Sequence, residues 1–297
     1  MRVFVTGASG FIGSAVVPEL ISAGHQVVGL ARSDASAAAI TAAGGAVHFG
    51  DLDNLGSLRT GAAASDAVIH LAYNHDFSRY EAAAQTDLRA IETLGAVLDG
   101  SDRPLVIASG LAGLSEGRVA TEHDIPPAEA HPRIAGAQAT LALGWRGVRS
   151  SVVRLAPTVH GDGDHGFVAR LVNIARAKGV SGYIGDGTNR WPAVHVLDAA
   201  RLFRLALEKA PAASVLHAVA DEGVPIRTIA EAIGRHLDLP VESIAPEEAG
   251  VHFDWMARFL AADLPASSTL TRELLGWHPS HPGLLDDLDH GHYFDTP

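Results

Sequence analysis

A glycine-spaced turn between a strand and a helix constrains this chain more than any other feature. In "RVFVTGASGFIGS" the apolar run Val3–Val5 leads into Gly7, Gly10 and Gly13, spaced G-x-x-G-x-x-G, and then into residues with helical spacing. Each glycine meets a separate demand: a tight turn, room for a pyrophosphate beside bare backbone, and close helix–strand packing. Ser9 sits inside the turn. The amides that follow, those of Phe11 and Ile12 among them, open a helix whose dipole favours phosphate. The turn therefore predicts a bound dinucleotide, against the alternative of a Gly-rich connection that holds nothing.

The rest of the first half alternates between two periods. Short apolar runs at Val3–Val5, Gln26–Leu30, Ala67–His70, Pro104–Ala108 and Ser151–Leu155 read as buried strands. Phe11–Ala23, Arg79–Leu98 and Arg133–Trp145 read as helices, the last presenting Ile134, Ala137, Leu141 and Trp145 as one apolar face. Strands buried on both faces and separated by helices predict an α/β fold with a doubly wound parallel sheet. The second half is less regular. "GDGDHG" (161–166) and "GDGTNRWP" (185–192) read as loops, Ala193–Leu197 as a strand entering a helix near Asp198, Arg227–His236 as a helix, and "LGWHPSHPG" (275–283) as a late loop. The expected organisation is a nucleotide-binding domain over residues 1–160, with 193–218 returning to it, and a substrate-binding lobe over 161–192 and 219–297. The acidic tail "DDLDHGHYFDTP" reads as a solvated end; its His290 and His292 lack a third partner for a metal.

Charge narrows the ligands. With 22 Lys+Arg against 34 Asp+Glu, the net charge of −12 argues against nucleic acid or an anionic membrane as partner. There is no cysteine, which removes disulfides and thiolate metal sites. No apolar run approaches the ~20 residues needed to span a bilayer, and no leader pattern precedes the first strand. A soluble, cytoplasmic protein acting on a small molecule is the expectation.

Several blocks beyond the turn carry a family likeness. "TGASGFIG", "GDLDN" (50–54), "DAVIHLA" (66–72), "VVRLAPTVHGDG" (152–163), "WPAVHVLDAA" (191–200) and "LLGWHP" (274–279) occur in order along nearly the whole chain. Together they resemble the extended and atypical short-chain dehydrogenase/reductases, the group that includes the NAD-dependent epimerase/dehydratases. The resemblance implies a Rossmann domain with a smaller C-terminal substrate lobe, and homodimers are frequent in the group. It also implies that Asp51 and Leu52 flank the adenine, that Leu71, Ala72 and Tyr73 run beside the cofactor, and that Pro157, Thr158 and Val159 lie near the nicotinamide. The alternative for Asp51 is a turn or cap residue, and its place after the third strand favours the adenine role. The second strand ends "VVGLARSD", and Arg32 with Ser33 there suits the 2′-phosphate of NADP(H), with Asp34 as a helix cap. A plain surface arginine is the alternative.

The chemistry is harder to read. Most members of the group carry Tyr-x-x-x-Lys on the helix after the fifth strand, with a Ser or Thr at that strand's end. Here the tyrosines stand at 73, 80, 183 and 293, followed four residues on by Phe77, Ala84, Gly187 and Pro297, and the lysines are Lys178 and Lys209. Ser109 keeps the hydroxyl position, either orienting a substrate oxygen or satisfying a strand end. Where the dyad belongs stands "AHPRIAGAQ", whose Arg133 reads as a ribose or substrate-anion ligand or as a solvated residue. Tyr73 and His75, in "AYNHD" at the sheet's C-terminal edge, are the candidate proton donors, although an HD pair also caps helices. His160 is a third candidate, in the place of the group's V-Y-G tyrosine. His195 reads as a core histidine, and Arg190 with Trp191 as a border of the second lobe. The leading reading is an NADPH-dependent reductase of a carbonyl, C=N or C=C group. A catalytically silent NADP(H)-binding sensor and a sugar-nucleotide epimerase or dehydratase stand behind it.

Overall fold

The computed structural model describes residues 1–74, 80–114, 117–127 and 131–295. Strands β1 (Arg2–Thr6), β2 (Gln26–Ala31), β3 (Ala46–Phe49), β4 (Ala67–His70), β5 (Pro104–Gly110), β6 (Arg149–Leu155) and β10 (Ser214–Ala218) form one seven-stranded sheet. Its order is β10-β6-β5-β4-β1-β2-β3 and every pairing is parallel. The order reverses beside β1, so a crevice opens at the C-terminal ends of β1 and β4, where such sheets bind ligands. Helices α1 (Phe11–Ser22), α2 (Asp34–Ala42), α3 (Leu55–Ala63), α4 (Tyr80–Leu98), α5 (Ile134–Ala142) and α7 (Val196–Lys209) cover both faces. One core lies between the sheet and α1 and α7, built on Val3, Val5, Val16, Leu20 and Phe203. The other face packs Phe4, Leu58, Ile91 and Leu94 under α3 and α4. Burial on both faces explains why the strands read as continuous apolar runs.

A second core gathers around α6 (Phe167–Lys178), α8 (Ile226–Leu237) and the C-terminal helices. It lies against a small sheet of β7 (Thr158–His160), β9 (Arg190–His195) and β11 (Asp221–Pro225), and a parallel pair of β8 (Ser181–Ile184) and β12 (Val241–Ile244). Trp277 reaches the first core instead, where its indole donates to the Asp198 carbonyl at 3.0 Å.

Three local readings are corrected. The strand expected at Ala193–Leu197 begins at Arg190 and stops at His195, because His195 caps α7: its Nδ1 accepts from the Leu197 amide at 3.2 Å. The expected apolar face of α5 breaks before Trp145, which is 93% exposed. The α-helix ends at Ala142 and tightens into a 3₁₀ turn over Leu143–Arg146, which rotates Trp145 outward and seats Leu143 in the core. The acidic tail is not a solvated end. Leu284–Asp289 forms helix α12, with Leu284, Leu288 and Asp287 buried, and Tyr293 packs behind it.

Candidate active site at the C-terminal edge of the sheet

The glycine turn has the shape its spacing predicts. Gly7 has φ +70, and a Cβ there would lie 2.7 Å from the Ala72 amide nitrogen at the end of β4. A Cβ on Gly13 would collide with the Gly7 carbonyl and Ala8. Gly10 is exposed and its amide closes the turn onto the Gly7 carbonyl at 3.0 Å. As N-cap of α1 it offers no side chain, so the first-turn amides carry no side-chain cap. Close backbone packing with uncapped amides on an open side fits a pyrophosphate. Leu71 and Ala72 are fixed beside the turn: their amides donate to the Thr6 carbonyl and Thr6 Oγ1, each at 3.2 Å.

Arg32 and Ser33 follow β2, both exposed. The cap of α2 is Ser33 rather than Asp34: its hydroxyl accepts from the Ser36 amide at 3.2 Å, and Asp34 supplies the acidic first turn. Asp51 uses one carboxylate oxygen as a turn cap, accepting from the amides of Asp53 and Asn54 at 3.0 and 2.8 Å. Leu52 leans on the α3–α4 core.

Tyr73 and Arg133 come together at the end of β5, where Ser109 follows Ala108. Ser109 ends β5 in register with Arg154 of β6, and among the described residues its hydroxyl has no hydrogen-bond partner. Arg133 is not solvated. Its guanidinium donates to the Ala108 carbonyl at 2.7 Å, lies 3.7 Å from Asp87, and stacks 4.1 Å over the Tyr73 ring. Asp87 in turn meets His70 Nε2 at 3.0 Å, and His70 Nδ1 meets Thr6 Oγ1 at 2.7 Å. This buried chain, Thr6–His70–Asp87–Arg133, fixes the guanidinium from behind. Sequence reasoning missed it, yet one signal was present. Asp87 interrupts the apolar stripe Ala83, Ala84, Ala90, Ile91 and Leu94 of α4, and a carboxylate there needs a partner. Beside Arg133, burial and then the charges of Arg133 and Arg258 push the His131 imidazole down to about 4, so it is neutral at pH 7.

The other candidates lie apart. His75 falls outside the described residues. His160 is fully buried rather than lining an open cleft, with Nδ1 2.8 Å from Asp287 of α12 and its ring against His195. Thr158 donates to the Pro192 carbonyl at 2.6 Å, binding β7 to β9. Pro157 and Val159 flank that junction, half-buried. Asp164 is a turn residue whose Oδ1 accepts from the Gly166 amide. Arg190 pairs with Asp263 at 2.9 Å, and Trp191 is fully buried.

Residues 3–218 match the model of the NAD dependent epimerase/dehydratase family. The chain belongs to that family. A Schizosaccharomyces pombe protein described as uncharacterized is 52% identical over 295 residues, 99% of this chain and 100% of its own. A Stigmatella aurantiaca protein, 4-hydroxy-2-methyl-3-oxo-4-farnesyl-3,4-dihydroquinoline-1-oxide ketoreductase, is 27% identical over 76% of this chain and 70% of its own. Among solved structures, a dTDP-glucose 4,6-dehydratase of Streptomyces venezuelae, with NAD bound, superposes with a TM-score of 0.79 at 21% identity, covering 98% of this chain and 96% of that one. The UDP-glucose 4-epimerase of Thermotoga maritima gives 0.78 at 20% identity, over 99% and 98%. The fold is thus that of the epimerase/dehydratase family, whose members use nicotinamide cofactors. Among the described residues no helix is long and apolar enough to cross a membrane.

Proposed function

We propose that this protein is an NADPH-dependent reductase of a carbonyl, or a related C=N or C=C group, in a small organic molecule. The observation that supports the reading is the Arg133 guanidinium, stacked over the Tyr73 ring and bonded to the Ala108 carbonyl one residue before Ser109, with Ala72 packed against the glycine turn. A bound nicotinamide would supply hydride to the substrate carbon. Ser109 donates a hydrogen bond to the substrate oxygen and orients it. Tyr73 gives that oxygen its proton as negative charge develops there. Arg133, stacked on the Tyr73 ring, favours the negative charge left on the phenol oxygen, the task a dyad lysine performs elsewhere in the family. Tyr73, whose phenol oxygen is buried, then regains its proton from water admitted as product leaves. Arg32 supports NADPH over NADH through a charge-assisted contact to the 2′-phosphate, and the adenine roles of Asp51 and Leu52 belong to the same proposal.

The test is a fluorescence titration with NADPH and NADH, followed by a panel of ketones, aldehydes, imines and activated alkenes monitored by loss of NADPH absorbance. Tight NADPH binding with oxidation by a panel member is expected. Tyr73→Phe then lowers kcat by roughly 10²-fold or more without changing NADPH affinity. Tight binding with no oxidation across the panel would replace the reductase by a silent NADP(H)-binding sensor.

A further inference from the structure

The glycine turn holds no cation of its own. Across Thr6–Gly13 the sequence is TGASGFIG, so within the turn the charge of a pyrophosphate meets only amides and the α1 dipole. A side chain from the loop that leads into α6 stands beside it. The His165 ring lies edge-on to the ring of Phe11, the first residue of α1, with 5.9 Å between centroids. His165, Ser9 and Gly10 are all exposed.

The loop that carries His165 is fixed from the C-terminal tail. The Asp164 amide closes a turn onto the Gly161 carbonyl at 3.0 Å, and Asp164 Oδ1 accepts from the Gly166 amide at 2.6 Å. Its Oδ2 accepts from the Tyr293 hydroxyl at 2.8 Å, and that hydroxyl accepts from the Gly161 amide at 3.3 Å. Burial, and then the Asp164 charge, raise the Tyr293 phenol well above its ordinary range, so it stays a donor. Arg176 holds the tail itself, donating to the Phe294 carbonyl at 2.8 Å. These bonds account for Asp164 and Tyr293 as structure, but not for His165. Its Nδ1 lies 3.3 Å from the Gly163 carbonyl and must be the donor there, because a carbonyl only accepts. Among the described residues Nε2 has no hydrogen-bond partner. As an imidazolium, with its second proton taken from solvent, the ring donates from both nitrogens.

We propose that His165 binds the pyrophosphate of the cofactor, supplying through Nε2 the charged donor that the glycine turn lacks, and that Tyr293 positions it through Asp164. The inference rests on the dinucleotide reading of the turn and is independent of the reaction that follows. A contact to the pyrophosphate, which both dinucleotides share, acts equally on NADP⁺ and NAD⁺, unlike a contact from Arg32 to the 2′-phosphate.

Calorimetry measures the affinity for NADP⁺, NAD⁺ and ADP-ribose, the last carrying the pyrophosphate without the nicotinamide. His165→Ala is expected to weaken all of them by a similar factor, roughly ten-fold. His165→Arg keeps a cation and should recover most of the loss. Tyr293→Phe should weaken binding about three-fold in the parent and not at all in the His165→Ala background, since a residue acting through His165 then has nothing to position. Asp164→Ala cuts the same link and serves if Tyr293→Phe does not fold. Unchanged affinities in His165→Ala would overturn the proposal. So would a loss confined to NADP⁺ and NAD⁺ with ADP-ribose untouched, which would move His165 to the nicotinamide half. Equal losses from Tyr293→Phe in both backgrounds would overturn the positioning role of Tyr293. A parent that binds none of these ligands would remove the dinucleotide reading itself.

Discussion

Arg32 and Arg133 are the two guanidiniums on which the cofactor and catalytic readings turn, and they act in opposite surroundings. Arg32 is exposed at the end of β2, where a phosphate contact is screened by water and remains modest. Arg32→Ala should weaken NADPH roughly ten-fold while leaving NADH within about two-fold, as one lost charge-assisted contact predicts. A pair of fluorescence titrations checks it. An unchanged NADPH:NADH ratio would remove Arg32 from the cofactor site. Arg133 is largely enclosed, held by the Ala108 carbonyl, Asp87 and the Tyr73 ring. Lysine keeps the charge but loses the planar stack and the forked donors. Arg133→Lys should therefore lower kcat by about ten-fold or more with KM and NADPH affinity little changed. If KM rises and kcat holds, Arg133 binds substrate instead of supporting Tyr73.

At the scale of elements, what the sequence revealed follows from how local each signal is. The strands of the parallel sheet were legible because burial on both faces leaves runs such as Val3–Val5 unbroken. The glycine turn was legible because φ > 0 at Gly7 and the close approach at Gly13 each need glycine. Trp145 was misplaced since the tightening after Ala142 depends on where Leu143 packs. The tail was misread because its acidity described composition, whereas the burial of Asp287 depends on His160, 127 residues away in the chain. Asp287 also meets His292 at 3.2 Å, and these partners hold its carboxyl below the usual range against the opposing effect of burial. Removing one member of such a pair strands the other. Asp287→Ala should cost about 3 kcal/mol in urea unfolding, Asp287→Asn clearly less because a hydrogen bond to His160 survives. Equal, small losses would show that α12 is held by Leu284 and Leu288 rather than by the hydrogen bond to His160.

Across the whole molecule, the row Ser109–Arg154–His217 along the C-terminal edges of β5, β6 and β10 ties the sheet to the second lobe. His217 Nδ1 donates to the Ser267 carbonyl at 2.8 Å, and Nε2 accepts from Arg154 at 3.3 Å. The Glu122 carboxylate accepts from Thr271, whose hydroxyl accepts from the His217 amide. In this arrangement His217 is neutral, and its fully buried ring has its proton affinity lowered by that burial to a pKa of about 4, from an ordinary 6.5. Protonation at Nε2 would set an imidazolium against the Arg154 guanidinium. Between pH 6.5 and 4 the unfolded chain therefore binds a proton that the folded chain refuses. The resulting stability is complete above pH 6.5 and is lost as pH falls toward 4. Unfolding free energy should drop by about 1–2 kcal/mol between pH 7 and pH 5 on this account, with His131 adding in the same direction. His217→Gln keeps a donor and an acceptor without a titrating ring, and its urea midpoint should change less over the same interval. A variant whose midpoint falls as steeply as the parent's would place the acid sensitivity elsewhere. A parent with no loss of stability down to pH 5 would mean that His217 gains a proton in the folded state and that Arg154 moves to admit it.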